Sequence, residues 1–513
     1  MNWSVGVIVL VVIVGLLALL ALLAIYDLLQ RKHAILRNFP IIGHFRYLLE
    51  AVGPELRQYI VTDNNEERPF SRDDRRWVYS TAKRQNPYFG FGTDNDLEQS
   101  RNYVIIKQSM FPLDGPIDAP DHPDPARPLP CAKVLGASHG RSGAFRPSSI
   151  VNVSGMSFGS LSGAAVEALD RGCAMAGALH TTGEGGITPH HLHGADLVWQ
   201  IGTGYFGCRD DRGRFDLQRA VEQTRSAPIR AIEIKLSQGA KPGLGGMLPA
   251  RKVTPEIAAI RGVPVGIACK SPAAHTAFDD VAGLVAFIEE LAGATGLPVG
   301  IKSAVGQTAF WTELAETMAS SGQGPDFITI DGGEGGTGAA PLAFSDHVAL
   351  PFRWGFTRVY RCFAEAGLSD DVVFIGSGKL GMPSTALSAF ALGCDMVNVG
   401  RTALFSIGCI QSQRCHTDRC PTGVATQNRR LERGLDPADK GVRCANYLAG
   451  VRFELERLSW ACGVNHPAKV TADMIDVLED RWNAESLRSM VGYQEGWGTP
   501  STTLLDALDV HLG

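Results

Sequence analysis

Between Val5 and Tyr26 the sequence has no charged residue, and no Lys or Arg precedes that stretch. An uninterrupted apolar run of about 20 residues is what a helix needs to cross the hydrocarbon core. A cleaved secretion signal would call for a basic start, a shorter apolar stretch and an A-x-A-like site, none of which is found. The run is therefore expected to be a single-pass anchor through residues 5–26, with the signal peptide as the competing reading. Arg31, Lys32 and Arg37 follow it directly, so the positive-inside rule puts the bulk of the chain on the cytoplasmic side of the inner membrane. Long basic runs and an acidic tail are also missing. A net charge of -5 is spread along the chain, which leaves nucleic-acid binding without an electrostatic footprint. No G-x-G-x-x-G opens a helix after the early strands, which argues against an open dinucleotide-binding sheet.

Eleven cysteines on the reducing side of a membrane are poor material for disulfides. Only Cys409, Cys415 and Cys420 cluster, as C-x5-C-x4-C with Pro421 next. Structural zinc normally takes four ligands, which three cysteines alone do not supply, although a Cys3His site using His416 stays open. Three thiolates within twelve residues also suit one iron–sulfur cluster.

Glycine is abundant. The 58 glycines amount to about 11% of the chain against an average near 7%, so many loops bring backbone close to something. Residues 34 to about 110 are rich in Arg, Asp and aromatics without clean periodicity and read as a linker and packing extension. Seven prolines between Phe111 and Pro130 mark a boundary. After Ser149, eight short apolar runs end in Gly-rich loops and alternate with Ala- and Leu-rich stretches. They begin at Ile150, Ala178, Leu197, Ala231, Val299, Phe327, Val372 and Met396. Eight βα units predict a closed (β/α)8 TIM barrel of the α/β class. The division expected is an anchor at 1–33, an extension at 34–130, the barrel with its cysteine segment at 131–465 and a tail at 466–513.

The seventh run ends in Gly376-Ser377-Gly378 and the eighth in Gly400-Arg401, the two positions where TIM barrels most often hold a phosphate. Gly-Ser-Gly alone is more often a turn; two such loops in succession favour a phosphate, with Arg401 as its fixed charge. Lys302, at the end of the fifth run, could stabilise negative charge on a reduced flavin, or could be a structural ion pair. The loop Ser154-Gly155-Met156-Ser157-Phe158-Gly159 suits close contact with a flavin ring through Met156 and Ser157, and equally a tight βα turn.

Taken with Thr182-Gly183-Glu184-Gly185-Gly186, Gln238-Gly239-Ala240-Lys241-Pro242-Gly243, Gly335-Gly336-Thr337-Gly338-Ala339 and Cys409 to Gln427, these motifs make the chain resemble the FMN-binding synthase domain of the glutamate synthase family from about Cys131 to Gly463. The resemblance implies FMN at the barrel mouth, a 3Fe-4S cluster on Cys409, Cys415 and Cys420, and Lys302 facing the flavin. It further implies that Lys235, Lys241 and Arg261 line an oxo-acid site, where 2-oxoglutarate becomes glutamate through 2-iminoglutarate. Cations around a dicarboxylate are the expected chemistry. Where the family usually reads Glu-Gly-Gly-Gln, this sequence has Leu244-Gly245-Gly246-Met247, and Met247 cannot supply the amide hydrogen bonds of that Gln. The glutaminase and β-helix regions of the large enzymes are not expected here. Ammonia would then come from solution, a partner or an amine donor, and electrons from a donor such as ferredoxin or a reductase subunit. An N-methylglutamate-type synthase using methylamine, or a membrane-associated electron-transfer subunit, are the alternatives.

Overall fold

Eight parallel strands close on themselves in the computed structural model, which describes residues 5–30, 32–86, 88, 90–97, 100–115, 122–480 and 482–512. In chain order they are β1 (Val151–Val153), β2 (His180–Thr181), β3 (Leu197–Ile201), β4 (Ile229–Lys235), β5 (Val299–Ser303), β6 (Phe327–Asp331), β7 (Val373–Ser377) and β8 (Met396–Val399). Each pairs in parallel with its neighbours in sequence, and β8 pairs with β1, Val397 opposite Val151, to complete a TIM barrel. Strands β5 to β8 are buried along their whole length, as expected of parallel strands covered on both faces.

The helices of the outer layer start and stop on local chemistry. Ser162 caps Gly163–Ala176 by accepting from the Ala165 N–H, and Asp280 caps Val281–Thr295 from Gly283. Gly177 and Gly296 end those two helices in the left-handed conformation that a side chain would strain. A 25-residue helix, Pro437–Ala461, lies along Gly163–Ala176. A Cβ on Gly172 would stand 2.5 Å from the Cys444 Cβ, so that crossing depends on glycine. Outside the barrel, Val104–Ile106, Ile475–Leu478 and Ala484–Ser486 form a small antiparallel sheet that ties the extension to the tail.

The chain divides into two compact units, Met1–Asp73 and Asp74–Gly513. The first holds the apolar helix Val5–Leu29, which is exposed along most of its length, followed by Ala34–Asn38 and Gly43–Leu56. Most of residues 34–61 is thus helical, where the sequence reading had a linker without periodicity. Arg31, used above for orientation, lies outside the described residues, as do positions 116–121 of the proline-rich stretch.

Candidate active site at the barrel mouth

Three cations from separate segments converge beyond the carboxyl ends of the strands. Lys235 closes β4, Lys241 sits in the loop after it, and Arg261 ends the short helix Pro255–Arg261. They surround a residue that the sequence reading quoted in a motif but gave no role, Glu184, in the loop after β2. Lys235 Nζ stands 3.2 Å from its carboxylate and donates to Gln238 Oε1 at 2.7 Å. Gly202 and Gly246 make room for that carboxylate, since a Cβ on either would come within 2.6 Å of it. Burial alone would raise the Glu184 pKa; Lys235 first, then Lys241 and Arg261, hold it below the ordinary value. Lys241 is shifted down by burial and by Lys235, with Glu184 opposing. Its ammonium donates to the Ala339 carbonyl at 3.1 Å.

Arg261 donates through Nη2 to the Phe158 carbonyl at 2.9 Å and lies over the Phe206 ring, 5.1 Å from its centroid. Its Nε is buried without a hydrogen-bond partner. Three cations against one carboxylate leave about two positive charges, the complement of a dicarboxylate. Two further residues support the cluster. The His275 imidazole bridges the Lys235 carbonyl and the Tyr205 hydroxyl, each at 3.0 Å, and Tyr205 OH also accepts from the Thr276 and Ala277 N–H groups. No spacing rule singles out His275; only the fold brings it under Lys235.

Lys302 is separate from this cluster. It ends 3.3 Å from Ser154 Oγ and 3.9 Å from Asp331, at the inner rim of the mouth. Asp331 also accepts from the Gly239 N–H at 2.8 Å, which joins the loops after β4 and β6. A side chain on Gly239 would run into the Gly332 carbonyl, so only glycine permits that approach.

The two predicted phosphate loops differ in how open they are. Gly376 is closed in by Leu380, Cys394 and Phe352, and the Ser377 carbonyl accepts from the Gly332 N–H. Gly378 has φ +117 and turns the chain against Gly332. Gly400 is different: a Cβ there would meet nothing nearer than Met156 Sδ at 3.8 Å and Ser154 Cβ at 3.9 Å. That leaves space beside the β1 loop, where Met156 and Ser157 lie. Arg401 reaches across to the Glu334 carbonyl in the loop after β6.

The cysteine segment follows the β8 loop and is bound to the β1 loop. Gln427 Nε2 donates to the Gly159 and Leu161 carbonyls, and Lys252 Nζ to those of Ser160 and Cys415. Tyr79 OH donates to the Cys409 carbonyl at 2.6 Å. Burial pushes the Cys409 thiol up to about 12, and the Cys415 and Cys420 sulfurs add to the effect, so the three lie within electrostatic reach of one another. Among the described residues no three His, Cys, Asp or Glu side chains are gathered tightly enough for a single metal ion, and His416 joins no such group.

A model of the conserved region in glutamate synthase matches residues 139–465. The glutamate synthase large subunit-like protein YerD of Bacillus subtilis is 38% identical over 473 residues, covering 86% of this chain and 89% of the relative. The chain belongs to the glutamate synthase family. The archaeal glutamate synthase of Methanocaldococcus jannaschii is 35% identical over 318 residues, 61% of this chain, which spans 59% of that relative's length. Among solved structures, the flavin-binding domain of baker's yeast flavocytochrome b2 aligns with a TM-score of 0.43 at 15% identity, over 96% of this chain and 95% of its own. The barrel assignment rests on the strand order and not on that likeness. Within this glutamate synthase-like chain, the departure at Met247 lies on a two-residue strand paired with Cys269–Lys270, where the side chain is 42% exposed.

Proposed function

We propose that the chain is an oxidoreductase that reductively aminates 2-oxoglutarate to glutamate, with FMN at the barrel mouth and a 3Fe-4S cluster on Cys409, Cys415 and Cys420. The observation that carries this reading is the convergence of Lys235, Lys241 and Arg261 on Glu184, with positive charge to spare. Lys241 and Arg261 would pair with the carboxylates of the oxo acid, and Lys235, held by His275, would orient it. Such pairs are strong because the site is largely withdrawn from water. Fixing the substrate in one pose is the protein's main contribution to rate.

The residues at the mouth support the flavin reading. Open space at Gly400, the backbone turn at Gly378 and the fixed charge of Arg401 suit a flavin phosphate, while Met156 and Ser157 flank the place for the ring. Lys302 would favour a reduced, anionic flavin. When bound, FMN would supply the hydride and the cluster would deliver electrons to it. The three thiols, in electrostatic reach of one another and tied to the β1 loop through Lys252 and Gln427, suit such a cluster. The exposed apolar helix Val5–Leu29 supports a membrane anchor, and Lys32 and Arg37 after it support a cytoplasmic catalytic unit. The test is the action of anaerobically purified, flavin-loaded protein on 2-oxoglutarate with a chemical reductant, read as glutamate when ammonia or glutamine is the nitrogen source and as N-methylglutamate when methylamine is. Product with ammonia or glutamine supports the proposal, product with methylamine alone moves it to the N-methylglutamate type, and no product with any of them overturns it.

A further inference from the structure

The helix Gly43–Leu56 and the turn that continues it, Arg57–Val61, carry an exposed apolar stripe. Phe45, Leu48, Leu49, Val52 and Leu56 recur at three- and four-residue intervals, followed by Tyr59 and Ile60, and all seven are exposed. Phe45 is 61% exposed and Ile60 74%, and Ile42 just before the helix reaches 77%. The polar side of the same helix carries Arg46 and Glu50, paired at 2.9 Å. A soluble protein seldom leaves a stripe of this length without a partner.

The stripe begins where the apolar helix Val5–Leu29 ends. Asp27, in the last turn of that helix, has a fully buried side chain that accepts from the Ile41 N–H at 2.9 Å and contacts His44 Nε2 at 2.9 Å. A carboxylate at the end of an apolar helix needs such partners. Here they fasten the start of the striped helix to the end of the apolar helix. Lys32 and Arg37 place positive charge between the apolar helix and the stripe, while Arg46 is paired with Glu50 and Glu55 lies close to Arg57 in sequence.

We propose that residues 43–61 form an interfacial helix that lies in the headgroup boundary of the bilayer, stripe inward, clamped to the span by Asp27. The occupant of the stripe is lipid, because it continues an exposed apolar span and its flanking charge suits anionic headgroups. The inference rests on the reading of Val5–Leu29 as a membrane span. It assigns the juxtamembrane segment a second, sidelong hold on the membrane in addition to the crossing itself.

The test is lipid photolabelling of the full chain in phosphatidylcholine–phosphatidylglycerol vesicles that carry a diazirine on the acyl chain, with adducts mapped by mass spectrometry. Adducts are expected on Val5–Leu29 and on Phe45, Leu48, Leu49, Val52 and Leu56, with none on Arg46 or Glu50. Leu48→Asp combined with Leu49→Asp should abolish the stripe adducts while those on the span persist. Adducts confined to Val5–Leu29 would overturn the interfacial helix and leave the anchor standing, and no adducts anywhere would overturn the anchor itself. Loss of self-association in the double variant, without loss of lipid adducts, would assign the stripe to a second copy and overturn the proposal.

Discussion

The two ends of the barrel use buried charge in opposite ways. At the amino ends of the strands the buried groups Lys133, Asp395, Arg141 and Asp326 are all paired. Lys133 donates all three protons, to the Ser369 and Val372 carbonyls and to Asp395, which in turn accepts from the Phe374 N–H. Arg141 makes a two-pronged pair with Glu289 at 2.7 Å and also contacts Asp326, which is joined by His139 and the Val299 N–H. At the carboxyl ends, three cations share Glu184, one arginine nitrogen has no partner, and Lys241 is pushed down instead of held up. A saturated cluster holds strands together; an unsaturated one has affinity left over for a ligand.

That contrast is sharpest in paired substitutions. Arg141→Ala strands Asp326 and Glu289 together and should destabilise the fold by about 3–5 kcal/mol, read as a fall in denaturation midpoint. Arg261→Ala should cost little stability but weaken 2-oxoglutarate binding by about 2–5 kcal/mol. If both substitutions unfold the protein equally, the distinction between the two ends fails.

Acid and alkali should act on opposite ends. Burial would raise Glu289, but the Arg141 hydrogen bonds hold it below its ordinary value. Its stabilising contribution is present above its unfolded pKa and is lost as pH falls through the lower folded value. Lys241 gives a slope of the same sign in the alkaline range: with its folded pKa lowered, the folded state gains stability as pH rises through that value towards the unfolded one. A bound dicarboxylate should restore the Lys241 proton, so binding on the alkaline side should take up protons. Calorimetry in two buffers of different ionisation enthalpy reads this directly, and Lys241→Met should remove the difference.

Smaller effects are expected away from the cluster. Arg401→Glu puts like charge beside the proposed phosphate and should lower flavin content with little change in the denaturation midpoint. Met247→Gln, on an exposed two-residue strand, should change oxo-acid binding by no more than about 1 kcal/mol. A larger gain would mean that this strand folds over the substrate.

The eight strands could be read from sequence to within two residues because parallel strands buried on both faces are apolar runs ended by glycine. The cations and cysteines were found through motifs. Glu184 stands inside one of those motifs, but a carboxylate among glycines carries no sign in sequence that three cations will share it. His275 and Lys235, 40 positions apart, meet only because the long connection after β4 folds back on it, and Lys133 and Asp395, 262 positions apart, meet only by barrel closure. The striped helix was missed for another reason: Pro54 and the alternating charges of Arg46, Glu50, Glu55 and Arg57 hid its period.

The most direct measurement is a calorimetric titration of the flavin-loaded full chain with 2-oxoglutarate and, in parallel, with pyruvate. Dicarboxylate binding much tighter than monocarboxylate binding, and lost in Arg261→Ala, is the expected result. Equal binding of the two acids, or no binding of either, would contradict the reading of the mouth as a site two positive charges short of a partner.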